Sequence, residues 1–314
     1  MLSFSVMSLS TLRFIRKKKF DYLFVESPPL TLGLTGVLLT RFSKTRLIFN
    51  ASDLWPLSAR ELGYISPGAV YKSLERAEKY IYRKAFICTG QSEETVRHLE
   101  ERGAKRTFLF RNGVNPDRFQ TVPKSVSRDR IKLVYAGLLG VAQGILKICE
   151  SVNFASLGAE FHIYGDGAEK ESIAAFLNAN PERGISFHDS VTRDEIPGIL
   201  AGYDASLIVL VKNIYGAVPS KIYESMAAGL PIIFYGFGEG RKIVEQYNLG
   251  WVTDPGDKSA LSETILGLRS NSREIEVKRE NCIKASREVF DRRVQIDAFH
   301  NYLSSFLAEN NATS

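Results

Sequence analysis

Short apolar runs recur along this chain, separated by stretches whose apolar positions fall at helical spacing. Phe20-Asp-Tyr-Leu-Phe-Val25 and Leu47-Ile-Phe-Asn50 read as strands, with a helix between them over Leu30–Arg41. Residues 68–84 carry Glu75, Glu78, Lys79 and Arg83 at helical spacings and predict an amphipathic helix. Phe86-Ile-Cys88 predicts a short strand, and Ser92 is placed to cap a helix that ends at Gly103. Phe108-Leu-Phe110 then leads into the turn signal Asn112-Gly113. Residues 115–130, with Pro116 and Pro123, have the composition of an interdomain linker. Beyond them the pattern is cleaner. Strands are predicted at Lys132–Tyr135, Glu160–Tyr164, Ile185–Phe187, Ala205–Val211, Pro231–Tyr235 and Trp251–Val252. A long helix, broken partway, follows from about Ser272 to Ala308.

Strand-helix alternation of this kind builds parallel βαβ units, so the fold class is α/β with doubly wound sheets. In such sheets ligands bind outside the carboxyl ends of the strands. The expected division is 1–125 for a first Rossmann-like domain, 126–290 for a second, and 291–314 for a terminal helix. The first domain looks short: it opens in a helix-like segment, without the strand and glycine-rich turn that usually begin such a unit.

Length and composition narrow the function classes. A chain of 314 residues suits two domains, and 44% hydrophobic with 24% charged residues excludes a disordered, collagenous or coiled-coil protein. Cys88, Cys149 and Cys282 lie far apart with no CxxC pair, which excludes a disulfide framework or zinc ribbon and fits a reducing, cytoplasmic compartment. The net charge of +6 is unevenly spread: residues 1–130 hold 23 basic and 12 acidic side chains, whereas the remainder is net acidic. The densest patch, residues 13–20, interleaves Arg13, Arg16, Lys17, Lys18 and Lys19 with apolar side chains. It reads either as a contact with an anionic membrane or as a solvated helix end. No nucleic-acid motif accompanies it, so no nucleic-acid partner is expected. No segment has the run of apolar residues that a spanning helix needs, and Met1–Leu12 lacks the features of a signal peptide. The protein is expected to be cytoplasmic, at most peripheral to the inner face of the cytoplasmic membrane.

Three stretches carry candidate chemistry. Tyr135-Ala-Gly-Leu-Leu-Gly-Val-Ala-Gln-Gly144 lies where a strand becomes a helix, and Gly137 and Gly140 allow close backbone approach to an anion. Alternatively it is only a tight turn. Ile163-Tyr-Gly-Asp-Gly-Ala168 is a second glycine turn, in which Gly165 lines the same crevice and Asp166 caps the next helix. Most informative is Val218-Pro-Ser-Lys-Ile-Tyr-Glu-Ser-Met-Ala-Ala-Gly-Leu-Pro-Ile-Ile233. Pro219 and Ser220 start a helix with Ser220 as N-cap, which puts Lys221 where the helix dipole disfavours a cation. A bound diphosphate would neutralise both. Glu224, three residues on, shares that side and could accept bonds from two ribose hydroxyls. A simple surface ion pair has the same spacing.

These stretches resemble the nucleotide-sugar half of GT-B glycosyltransferases. The resemblance is to the retaining group-1 (family-4-type) branch of bacterial surface polysaccharide assembly. The first half is similar to the same branch in Phe20-Asp21, Ser27-Pro28-Pro29, Asp53-Leu-Trp-Pro56, Leu74-Glu75 with Glu78, Tyr82-Arg83-Lys84-Ala85 and Arg111-Asn-Gly-Val114. Asp-Leu-Trp-Pro with Ser-Lys-Ile-Tyr-Glu resembles a subgroup of N-acetylfucosaminyl and colanic-acid-type transferases. There are two departures. Where the wider family has the first of two glutamates eight apart, this chain has Gly216, although Glu224 matches the second. The family's opening strand and glycine-rich turn also have no counterpart here, so the first domain is expected to be truncated.

The resemblance implies transfer of a sugar from a UDP- or GDP-linked donor, with retention, to a lipid-linked or oligosaccharide acceptor, without metal or other cofactor. It implies that Lys221, the amides after Ser220 and those around Gly137–Gly140 stabilise the leaving diphosphate and that Glu224 holds the ribose. Asp53 and Glu26, at the ends of first-domain strands facing the cleft, either orient sugar or acceptor or serve as a buried structural partner or helix cap. The terminal helix would pack back on the first domain. His98, His162, His188 and His300 show no paired spacing and read as structural, and Trp55 and Trp251 as core. Two other readings stand beside this one. One is a catalytically impaired or split-partner subunit that only binds donor. The other is a sugar-nucleotide epimerase, which would need carboxylates and histidines gathered for proton transfer.

Overall fold

The computed structural model describes residues 2–18, 20–41, 43–119 and 130–312. The chain divides into two compact units, one of Met1–Arg111 with Ile214–Val218, the other of Asn112–Asn213 with Pro219–Ser314.

In the first unit β1 (Tyr22–Ser27), β2 (Arg46–Ala51), β3 (Ile87–Gly90) and β4 (Thr107–Leu109) form a parallel sheet in chain order. Each observed strand lies within about two residues of the apolar run that predicted it, the usual uncertainty of an element boundary. The crossovers are helices Leu30–Arg41, Ala69–Lys84 and Glu93–Glu101. The first packs closely because Gly33 and Gly36 face the sheet: a methyl at Gly33 would lie 2.5 Å from the Phe49 ring, and one at Gly36 2.9 Å from Leu47. Val25, Leu47, Phe49, Ile81, Tyr82 and Leu99 form the core. The helix at 93 starts as the sequence indicates, with the Ser92 hydroxyl accepting from the Thr95 amide at 3.0 Å.

The second unit is a six-stranded parallel sheet. Its strands are β5 (Ile131–Ala136), β6 (Ala159–Tyr164), β7 (Ile185–His188), β8 (Ala205–Leu210), β9 (Ile232–Gly236) and β10 (Gly250–Thr253), in the order β10-β9-β8-β5-β6-β7. Burial explains the texture of the sequence. Every residue of β8 and β9 is buried, so these strands read as continuous apolar runs, whereas Ala159, Phe161 and Ile163 of β6 face the core and alternate with half-buried positions. Leu133, Tyr135, Phe161, Leu207, Val209 and Ile233 belong to this core. The long terminal helix is two helices, Ser272–Glu288 and Arg292–Ala312.

The boundary between the units falls at Arg111–Asn112, upstream of the expected 125–126, because the chain beyond Asn112 already docks on the second unit. The Val114 amide donates to Phe290 O, and the Arg292 amide to Val114 O, both at 2.9 Å. Gly113 leaves no room for a side chain there, since a methyl would sit 2.9 Å from Arg292 Cα. The Arg-Asn-Gly-Val stretch is thus a docking strand. Most of the predicted linker, residues 120–129 with Pro123, lies outside the described residues.

Candidate functional site

In the second sheet the strand order reverses between β5 and β8, which are neighbours although three crossovers apart in sequence. A reversal of this kind opens a crevice beyond the carboxyl ends of the two strands, the general ligand position of doubly wound sheets. The glycine loop that follows β5 and the helix Lys221–Ala227 that follows β8 converge there.

Gly137 has φ +145, and a methyl group on it would sit 2.3 Å from Lys221 Cε, so only glycine leaves room for the lysine. Lys221 Nζ rests 5.0 Å from the centroid of the Tyr135 ring. Among the described residues its ammonium meets no hydrogen-bond acceptor and no carboxylate within 4 Å. Burial pulls it below the usual lysine range, partly countered by the charge of Glu224. Glu224 is half-buried and likewise has no side-chain hydrogen bond or ion pair among the described residues. Burial pushes its carboxyl up, while Lys221, Arg193 and Arg118 pull the other way. The surface ion pair that the same spacing allowed is therefore absent among the described residues.

The second glycine turn is laced to the first. The Gly137 amide donates to Tyr164 O at 2.8 Å, and the Leu139 amide to Asp166 O at 2.8 Å. A methyl on Gly165 would lie 2.0 Å from Gly137 O. Gly137, Gly165, Lys221 and Glu224 thus form one constellation. Gly140 serves the turn itself, its carbonyl accepting from the Gln143 and Gly144 amides.

Two local expectations need correction. Ser220 occupies the cap position of its helix but makes no side-chain capping bond, because its backbone is already helical at φ −59, ψ −22. Asp166 does not cap the following helix, which starts at Lys170 after Glu169. Its carboxylate accepts instead from the adjacent Gly167 amide at 2.7 Å.

The sequence reading missed Arg118 and Arg193. Arg118 donates to Arg193 O at 2.9 Å and to Asp194 Oδ1 at 2.8 Å. This joins a turn after the first docking strand to a turn before helix Ile196–Leu200. No spacing signal links positions so far apart. Two histidines are also paired against expectation: His162 Nδ1 lies 3.1 Å from His188 Nε2, with Tyr164 stacked on His188. The register of β6 against β7 brings them together. His98 is structural as read, bonded to Glu78 at 2.9 Å.

In the first unit Asp53 follows β2; the residue is exposed, and partial desolvation of its carboxyl pushes it above the usual range. Glu26 accepts from Ser52 Oγ at 2.6 Å, Ser52 from Asn50, and Asn50 from Thr89. This polar chain along the carboxyl edge was not legible beforehand apart from Glu26. Gly216 belongs to the same unit: its amide donates to Glu94 Oε2 at 3.0 Å and its carbonyl accepts from Ser92 Oγ at 2.9 Å.

Comparisons with known proteins bear on this arrangement. Probable glycosyltransferase WbjE of Pseudomonas aeruginosa is 24% identical over 265 residues, 80% of this chain and 66% of its own length. The 2-deoxystreptamine glucosyltransferase of Streptomyces kanamyceticus is 24% identical over 205 residues, 60% of this chain and 52% of its own. The match therefore spans under two thirds of either relative. Among solved structures, Anabaena HepE in complex with UDP superposes with a TM-score of 0.77 at 15% identity, covering 96% of this chain and 82% of that one. Sucrose-phosphate synthase from Thermosynechococcus elongatus gives 0.75 at 17%, covering 96% and 78%. Both share the GT-B fold, two Rossmann-like α/β units. Residues 119–289, more than half of the chain, match the model of glycosyl transferases group 1, and the chain belongs to that family.

Proposed function

We propose that this chain transfers a sugar from a nucleoside diphosphate sugar to a lipid-linked or saccharide acceptor, with retention of anomeric configuration, in cell-envelope polysaccharide assembly. One observation carries the donor half of this reading: the unpartnered, half-buried Lys221 ammonium beside Gly137. A half-buried cation with no carboxylate within 4 Å is costly, and the diphosphate of a sugar nucleotide would supply the close counter-charge. In the reaction Lys221 and the amides beside Gly137 and Gly140 stabilise negative charge that develops on the leaving diphosphate. Glu224 accepts from the ribose hydroxyls, its charged form favoured by Lys221, Arg193 and Arg118 nearby. Asp53, with Glu26, orients the sugar or the acceptor. UDP is the first donor base to test, because the HepE structures were obtained with UDP and UDP-glucose. The relative WbjE, named a glycosyltransferase, supports a transferase over an epimerase.

The acceptor side rests on less. The exposed Phe14 and Phe20 rings lie 5.6 Å apart beside Lys17 and Lys18, an arrangement suited to an anionic membrane surface. Lys19 of the same patch lies outside the described residues. No helix among the described residues is long and apolar enough to cross a membrane. A donor-binding subunit is the second reading, favoured by Gly216, which offers no carboxylate where the wider family has one. Calorimetric titration with UDP and GDP, followed by NMR of the product anomer from UDP-sugar, tests both. Nucleotide binding with retained configuration supports the transferase, binding without turnover supports the subunit, and no binding by folded protein contradicts the site.

A further inference from the structure

The amino-terminal edge of the first sheet, opposite the edge that carries Glu26 and Asn50, holds a cavity of about 570 Å³. Its lining includes Arg41, Arg46, Arg83, Lys84, Lys105 and Arg106, and none of its lining residues is acidic. The parallel sheet explains the convergence: Arg46 begins β2, Phe86 precedes β3 and Arg106 precedes β4, so three strand starts deliver their side chains to one edge. Phe86 sits in the lining with two guanidinium groups over its ring, Arg46 at 4.4 Å and Arg106 at 4.7 Å from the centroid. Stacking on an aromatic ring uses the face of a guanidinium, which leaves the N–H edge of Arg46 available to an oxyanion. Lys84 lies 5.9 Å over Tyr80 on the same rim. Like charges gathered in one cavity repel one another, so the arrangement is most stable with a polyvalent anion bound.

We infer that this cavity binds a phosphate-bearing ligand, separate from the nucleotide-sugar site of the second unit. Guanidinium forks match phosphate oxygens in pairs, and six cations around one cavity suit a group with more than one negative charge. The same chemistry is presented by a soluble diphosphate and by the phosphomonoester headgroup of an anionic lipid.

The test uses the full chain in the Lys221→Ala background, so that phosphate bound at the nucleotide site does not count. Inorganic pyrophosphate is titrated by calorimetry, and flotation is measured with phosphatidylcholine vesicles with and without phosphatidic acid. Arg46→Gln/Arg106→Gln is compared with Lys72→Gln/Lys284→Gln, which removes the same charge elsewhere on the surface. Circular dichroism melts confirm that each variant is folded. Pyrophosphate binding that the arginine pair weakens by at least about tenfold, with the lysine pair unchanged, supports a site for soluble phosphate. Capture confined to phosphatidic acid vesicles, lost in the arginine pair alone, supports a lipid headgroup. Absence of both, retention in the arginine variant, or equal loss in the lysine variant overturns the inference.

Discussion

The two sheets differ in strand order, and their charged residues differ with it. The first runs β1-β2-β3-β4 with no reversal among its described strands; the second reverses between β5 and β8. Each unit also contains a family-like motif with a glutamate one helical turn from other charged or polar groups. In the first unit Glu78 is buried and saturated: it bonds His98 at 2.9 Å and Tyr82 at 3.0 Å, with Arg102 at 3.8 Å. Glu75 takes the same Arg102 at 2.9 Å. In the second unit Lys221 and Glu224 sit at the reversal with no such partners among the described residues. The pair of motifs teaches a distinction that spacing alone hides. A buried charge whose partners are all internal serves the fold, whereas one left without a partner at a switch point is, on the proposed reading, held for a ligand.

The comparison breaks most visibly at Glu78. Glu78→Ala strands the buried His98 and the Tyr82 hydroxyl and should cost roughly 3–5 kcal/mol of stability in urea unfolding. The UDP affinity of the protein that remains folded should be unchanged. Gly137→Ala acts in the opposite way. Its methyl displaces Lys221, and UDP affinity should fall about a hundredfold by calorimetry, as expected when two charge-assisted bonds are lost. Glu224→Gln sharpens the division of labour within the site. UDP binding should weaken about tenfold, the loss of one charged hydrogen bond, while inorganic pyrophosphate binding is retained.

The smallest expected effect is in pH dependence. Lys221 loses its proton at lower pH than an ordinary lysine, so UDP binding should decline on the alkaline side earlier than a solvated lysine would dictate. Glu224 gains its proton at higher pH than an ordinary glutamate, so the acid side should decline earlier as well. A bell narrowed from both ends is expected. A profile with the limbs of unperturbed residues would place the two groups outside the binding event.

Much of the fold was legible because period and burial coincide. The two-faced burial of β8 and β9 wrote continuous apolar runs, and the helix over Leu30–Arg41 matched its apolar stretch end to end. Lys221 and Glu224 were legible because they share one helix at i and i+3. Arg118 and Arg193 were not, since a turn and a loop bring them together across the fold. The His162–His188 pair depended on strand register, which no local pattern encodes. Glu78 was legible as a polar position of an amphipathic helix and as part of a resemblance, but its role in the core needed the packing of two helices to show. All three cysteines are buried thiols, and burial pushes those of Cys88 and Cys149 up to about 12, away from thiolate chemistry.

The central claim is that Lys221 is kept for a ligand and not for the fold. Replacing it by methionine keeps the apolar stem against Tyr135 and removes only the charge, and Glu78→Gln provides the matched change in the first unit. Thermal unfolding and UDP titration on these two variants separate the roles. The account predicts that Lys221→Met melts at or above the wild-type temperature and no longer binds UDP, whereas Glu78→Gln melts lower and binds UDP normally. A Lys221→Met protein that melts lower yet binds UDP as tightly as the wild type would contradict it.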